Sequence, residues 1–130
     1  MQDGKAVQLL LNGEEHGHGH VVEKLLKRAE RLECLVAFAK ISAIGDLLKP
    51  LRKALEGGLK ARFAIGLDFY LTEPEALRQL FALAEKHALV LYLSNASDTF
   101  HPKIYAFQNG KQCSVIVGSA NLTHGGFYGN

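Results

Sequence analysis

Four polar side chains near the end of the chain have the types and spacing needed for chemistry on a phosphate group. His101 and Lys103 are two residues apart, and Ser119 and Asn121 repeat that spacing after the next apolar run. Residues two apart in a strand share one face, roughly 7 Å from each other. An imidazole can attack phosphorus or transfer protons, an ammonium can neutralise phosphoryl oxygens, and a hydroxyl and an amide can donate hydrogen bonds. The pattern predicts a phosphate site.

A predicted hairpin would bring the two pairs together. Asn109-Gly110 lies between the apolar runs and favours a type I′ turn, whose central residues need positive φ. Gly118, directly before Ser119, would let a backbone approach the site closely. A His-x-Lys pair alone is more often part of an ordinary strand, with a buried histidine and a lysine that reaches solvent. Its combination with Gly-Ser-x-Asn favours the phosphate site.

The pattern resembles the signature of the phospholipase D superfamily: His-x-Lys, usually an Asp five residues after the Lys, and then Gly-Ser-x-Asn. The matching residues are His101, Lys103, Gly118, Ser119 and Asn121. The position of the usual Asp holds Gln108. The flanking sequences FHPKIYAF and VGSANLTHGGFYGN are most similar to the phospholipase D-like domains of restriction endonucleases and helicase-associated proteins.

This resemblance implies a metal-independent phosphodiesterase or endonuclease that cleaves nucleic acid, with DNA as the expected partner, through a phosphohistidine. It implies that His101, Lys103 and Asn121 are catalytic, that Lys103, Ser119 and Asn121 bind the substrate phosphate, and that no metal or other cofactor is needed. The chemistry needs a second histidine, and the chain has a single copy of the motif. A homodimer with a shared active site is therefore expected, because a two-fold axis repeats every residue.

Two other functions are compatible with the sequence. One is a non-catalytic nucleic-acid-binding or dimerisation module of a helicase or restriction protein, to which Gln108 gives some weight. The other is a phospholipid-cleaving phospholipase D. An exposed apolar helix or a polybasic cluster, which would favour docking on a membrane, is not evident in the sequence.

Composition narrows the class of protein without identifying it. The chain has 130 residues, of which 48% are hydrophobic and 22% charged, as expected for one globular domain spanning residues 1–130. The net charge of +2 permits nucleic-acid binding but does not indicate it. Cys34 and Cys113 lie in apolar runs, which predicts two buried thiols. The beginning lacks a signal-peptide pattern, so a cytoplasmic location is expected, and the glycine-rich ending suggests a fragment of a longer protein.

The hydrophobic periodicity predicts an α/β fold, with a mixed, mainly parallel sheet and helices on both faces. The expected order is β-α-β-α-β-α-β followed by the hairpin. The elements expected before the hairpin are a strand at Lys5–Leu11, a helical stripe from Val21 to Leu32, a strand at Cys34–Ala39, a connector at Ser42–Asp46, a helical stripe from Ile44 to Leu55 interrupted by Pro50, a strand at Leu59–Ile65, a helix that starts at a capping box in Thr72–Glu75, and a buried strand at Ala88–Leu93.

Two further groups of residues could lie at a site. His16, His18 and His20 alternate as in some metal sites, but intervening glycines and the missing fourth ligand favour a flexible loop before a helix. Asp68 follows a predicted strand, where loops gather around ligands, although a plain turn acid explains it more simply.

Overall fold

The structure, a computed structural model, describes residues 18–67, 71–94 and 101–118. The strand expected at Lys5–Leu11 lies outside these residues. The described elements, in chain order, are α1 His18–Leu26, β1 Arg31–Val36, α2 Ile41–Glu56, β2 Lys60–Gly66, α3 Pro74–Lys86, β3 Leu89–Ser94, β4 Lys103–Asn109 and β5 Gln112–Val117. The five strands form one sheet in the order β3-β2-β1-β4-β5.

The sheet is mixed, which confirms the predicted α/β fold class. β1 pairs in parallel with β2, and β2 with β3, whereas β4 is antiparallel to both β1 and β5. Both parallel crossovers proceed in the same direction across the sheet. Right-handed connections therefore place α2 and α3 on the same face. Within the described ranges, the three helices pack into one core on that face, whereas helices on both faces were expected. We call the opposite side of the sheet the open face.

The core is formed by alternate residues of the central strands and the apolar stripes of the helices. Cys34, Phe63 and Tyr105 are each at most 2% exposed. Removing a side chain such as Phe63 from water stabilises the fold by about 1.5–3 kcal/mol. Cys34 and Tyr105 are register partners on β1 and β4. Burial raises the pKa of the Cys34 thiol and, together with the charge of Cys34, that of the Tyr105 hydroxyl.

Two predicted boundaries before residue 50 were wrong. Leu32 lies in β1, where it alternates with Cys34 and Val36 toward the core, so α1 ends at Leu26 and the strand starts at Arg31. The position of Leu32 fits both the helical repeat of the preceding apolar residues and the two-residue repeat of the strand that follows. The connector expected at Ser42–Asp46 belongs to α2, because Ala43 and Ile44 are fully buried.

Pro50 lies inside α2, and the helix continues through it from Ile41 to Glu56. A proline inside a helix removes one backbone hydrogen bond. Leu47 and Leu51, on either side of Pro50, are at most 4% exposed. Their packing offsets the lost bond. The helix therefore continues where the sequence pattern predicted an interruption.

The two edge strands are more exposed than their sequences indicate. β3 was expected to be buried on both sides, yet Val90 and Tyr92 are about half exposed on the open face. Cys113, on the other edge strand, is exposed, so the prediction of two buried thiols holds only for Cys34. An apolar run does not reveal whether a strand will lie at the centre or the edge of a sheet.

The predicted hairpin is confirmed, although its turn is centred one residue later than expected. Asn109 pairs with Gln112, which leaves Gly110 and Lys111 as the connecting residues. Gly110 has a φ of +59°. A Cβ at this position would meet no atom within 4 Å, so a substitution there tests the backbone conformation alone.

We expect Gly110→Val to lower the free energy of unfolding by roughly 1–3 kcal/mol, because a β-branched residue is strained at positive φ. Thermal or urea unfolding measures the loss. Gly110→Asn is the matched control, since Asn tolerates this conformation and should cost much less. Equal stability of the valine variant and the unchanged protein would contradict the assigned turn.

Candidate active site at the carboxyl edge of the sheet

The ends of five strands meet where His101 and Lys103 lie. β1, β2 and β3 end at this edge of the sheet. β4 runs in the opposite direction and begins there, with Lys103 paired with Val36. β5 returns to the same edge, where Val117 pairs with Ile104. The carboxyl edge of parallel strands is where α/β sheets bind ligands.

His101 and Lys103 are in contact. The Lys103 Nζ lies 2.5 Å from the His101 Nδ1 and 3.4 Å from the His101 carbonyl oxygen. His101 is exposed and Lys103 half-buried. Because an ammonium only donates, Nδ1 accepts, and a neutral His101 ring carries its proton on Nε2. The predicted His-x-Lys spacing therefore places an imidazole and a cation side by side.

The second half of the predicted site begins beside Lys103. The Gly118 N–H donates to the Lys103 carbonyl at 3.3 Å, which brings the start of the Gly-Ser-x-Asn segment to this edge. Ser119 and Asn121 lie outside the described residues, as does Asp68. Their participation stays a prediction.

Gln108, at the position of the usual Asp, lies at the other end of β4 from Lys103. At about 3.4 Å per residue, the two are roughly 17 Å apart. The Gln108 amide donates to the Gly110 carbonyl at 3.3 Å and so supports the hairpin turn. The departure from the motif thus affects the turn and leaves the His101–Lys103 pair untouched.

Two residues that the sequence pattern misassigned hold the site edge together. The Thr72 hydroxyl accepts from the Ala39 N–H at 3.2 Å and donates to the Gly66 carbonyl at 2.7 Å. The Glu73 carboxylate accepts from the Ile41 N–H at 2.8 Å, and thereby caps the first turn of α2. These bonds link the ends of β1 and β2 to the start of two helices.

The capping box expected in Thr72–Glu75 was therefore wrong. The N-cap of α3 is Glu73, which makes no side-chain capping bond to its own helix, although Pro74 does occupy the first turn as predicted. A capping box is a local pattern, whereas Ala39 and Ile41, which donate to Thr72 and Glu73, are 33 and 32 residues away in sequence. No short-range signal could have identified them.

The histidines near the start of the chain are partly described. His18 and His20 belong to the first turn of α1, so the loop expected there ends before His18. His16 lies outside the described residues. Within the described ranges, no three His, Cys, Asp or Glu residues are grouped as a metal site would require. Nor is any described helix long and apolar enough to cross a membrane.

Comparisons with known proteins identify the fold. Residues 19–130 match the family described as the NgoFVII restriction endonuclease N-terminal PLD domain. The phospholipase D family member Nuc from Salmonella typhimurium is similar with a TM-score of 0.63 and 19% identity, over 85% of this chain and 68% of that one. NucT from Helicobacter pylori gives 0.58 and 15%, over 85% and 70%.

A larger enzyme shares the same fold over part of its length. Polyphosphate kinase from Porphyromonas gingivalis is similar with a TM-score of 0.58 and 15% identity, over 88% of this chain and 20% of that one. No curated protein matches the sequence significantly.

Proposed function

Because the chain belongs to the family of the NgoFVII restriction endonuclease N-terminal PLD domain, we propose that it is a phosphodiesterase that cleaves nucleic acid, with DNA as the expected substrate. The observation that carries this proposal is the contact between His101 and Lys103 at the carboxyl edge of the sheet. It provides a nucleophile and a cation for one phosphate. The proposed metal-independent mechanism uses Lys103 for charge neutralisation, which a divalent ion supplies in many other phosphodiesterases.

The proposed reaction has two displacements at phosphorus. A lone-pair nitrogen of His101 attacks the phosphodiester, the phosphorus–oxygen bond to the leaving strand breaks, and a second histidine protonates the departing oxygen. Water then attacks the phosphohistidine, the phosphorus–nitrogen bond to His101 breaks, and the second histidine accepts the proton of the water. Each of these displacements is easier than direct hydrolysis of the phosphodiester by water in one step. The Lys103 ammonium would turn from Nδ1 to a phosphoryl oxygen, and Ser119 and Asn121 would donate hydrogen bonds to the phosphate.

The function is tested by nicking of supercoiled plasmid in the presence of a metal chelator. We expect the unchanged chain to nick the plasmid and His101→Ala to abolish nicking, since His101 is the proposed nucleophile in contact with Lys103. His87→Ala is the matched control with a small phosphodiester as the substrate, because His87 lies beyond the opposite end of the strands, before β3, and should leave hydrolysis of that ester intact. Nicking that persists without His101, or that needs added Mg²⁺, would contradict the mechanism. Binding without cleavage would indicate a binding module.

The active species is expected to be a symmetric homodimer that brings His101 of each protomer to one phosphate. Two Lys103 ammonium groups near that phosphate would repel each other, so phosphate should strengthen the dimer by linkage. Sedimentation with and without phosphate measures the association, and Gly118→Cys at this edge should form a crosslink between protomers. A strict monomer at high concentration under both conditions would favour a second motif elsewhere in a longer chain.

A further inference from the structure

A groove lies at the edge of the sheet opposite to His101 and Lys103. It has a volume of about 410 Å³ and crosses the first residues of β1, β2 and β3. We call it the Arg31 groove. Its lining includes Arg31, Glu33, Lys60, Arg62 and His87. Three of these are permanent cations and one is a carboxylate, so the lining carries a positive charge.

The charges in the Arg31 groove are unequally compensated. Arg62 forms an ion pair with Glu33. The hydrogen bond and the charge of Glu33, with a smaller contribution from Tyr92, hold the pKa of Arg62 above its ordinary value. The only carboxylate of the lining is therefore already engaged.

Arg31 and Lys60 are direct register partners on the open face of adjacent strands. Like charges opposite each other destabilise a sheet. No ion pair of either residue occurs among the described residues. On its other side, Arg31 is the register partner of Gln108, an uncharged amide. Two adjacent cations thus lack a counter-charge, and both are exposed.

We propose that the Arg31 groove is a second anion site, which binds a backbone phosphate of nucleic acid outside the segment being cleaved. Arg31 presents a planar pair of N–H donors that matches a phosphate, and Lys60 adds a point charge. Bound phosphate relieves their mutual repulsion. The anion chemistry follows from the groove alone, whereas the choice of nucleic acid as the ligand rests on the proposed function.

The groove is remote from the chemistry. Arg31 and Val36 are the two ends of β1, roughly 17 Å apart along the strand. In addition, Lys103 alternates with Tyr105 toward the helix-covered face, whereas the groove is on the open face. At about 3.4 Å per base pair, only a polymer longer than roughly five base pairs could contact both sites. A small phosphodiester should therefore be insensitive to the groove.

The test is DNA binding by fluorescence anisotropy with a labelled duplex of about 20 base pairs, at salt concentrations of roughly 50 to 200 mM. All proteins carry His101→Ala, so that cleavage does not enter the measurement. We expect Arg31→Gln/Lys60→Gln to raise the Kd roughly tenfold and to reduce the slope of log K against log salt by about 1, the value for one lost phosphate contact. Gln108→Glu, which places a carboxylate beside Arg31, should weaken binding in the same direction.

The matched control is Arg52→Gln/Lys53→Gln. It removes the same two charges from exposed positions of α2, on the other side of the sheet. Its Kd and salt slope should stay close to those of the parent. Equal weakening by both double variants would show diffuse charge attraction and overturn the proposal, as would an unchanged Kd in the groove variant. The proposal is also overturned if inorganic phosphate raises the Tm of the parent but not of the groove variant, while the two proteins bind DNA equally well.

A separate assay distinguishes failure of this proposal from failure of the proposed function. With His101 restored, the groove variant should hydrolyse bis(p-nitrophenyl) phosphate at the rate of the unchanged chain. Loss of this activity would place Arg31 or Lys60 in the catalytic machinery and overturn the proposal. If the unchanged chain cleaves neither plasmid nor this ester, the proposed function fails, and the anisotropy result still decides whether the groove binds DNA.

Discussion

Lys103→Ala is expected to lower the rate of phosphodiester cleavage by roughly 10²–10³-fold, the usual effect of removing one group that stabilises developing oxyanion charge. The Lys103 ammonium lies 2.5 Å from the His101 ring, so it can reach an oxygen of any phosphate that the ring attacks. Hydrolysis of a small phosphodiester in chelator measures the effect without a contribution from DNA binding elsewhere. Both kcat and KM should worsen, because the cation acts on the bound and the reacting phosphate.

Lys111→Ala is the matched control for this experiment. Lys111 is an exposed lysine of the same hairpin, in the turn at the far end from Lys103. It carries the same charge, so its removal should leave hydrolysis of the small ester unchanged. Full activity of Lys103→Ala would exclude Lys103 from the site and direct the search to another cation.

Thr72→Val is expected to cost roughly 2–4 kcal/mol of stability, although the two side chains have almost the same shape. The Thr72 hydroxyl accepts from the Ala39 N–H and donates to the Gly66 carbonyl, so the valine variant removes both bonds at this edge. Thr72 is only 9% exposed, so water has little access to the groups left behind. Each buried polar group without a partner costs about 1–3 kcal/mol. Urea unfolding measures the loss.

Thr72→Ser separates the hydroxyl from the methyl group. It keeps both hydrogen bonds and removes one methyl, so it should cost less than the valine variant. A valine variant as stable as the unchanged chain would show that Ala39 and Gly66 find other partners. Since total stability is only about 5–15 kcal/mol, the expected loss should be easy to detect.

The elements that could be predicted from the sequence are those whose signals are local. Asn109-Gly110 indicated the hairpin, and His101-x-Lys103 indicated two side chains in contact. Leu32 was misassigned because its spacing suits both a helix and a strand. The partners of Thr72 and Glu73 and the edge positions of β3 and Cys113 depend on which strands become neighbours. That information is spread over distant parts of the chain, so no window of sequence contains it.

The central position of β1 has a consequence for the order of folding. β1 lies between β2 and β4, and its partner β4 begins at Lys103, while β1 itself ends at Val36. Pairings so distant in sequence close large loops and form slowly. During synthesis, β1 therefore has an unpaired edge until β4 emerges, and such edges promote aggregation. The strand that covers this edge also carries Lys103, so the site is assembled in the same step that completes the sheet.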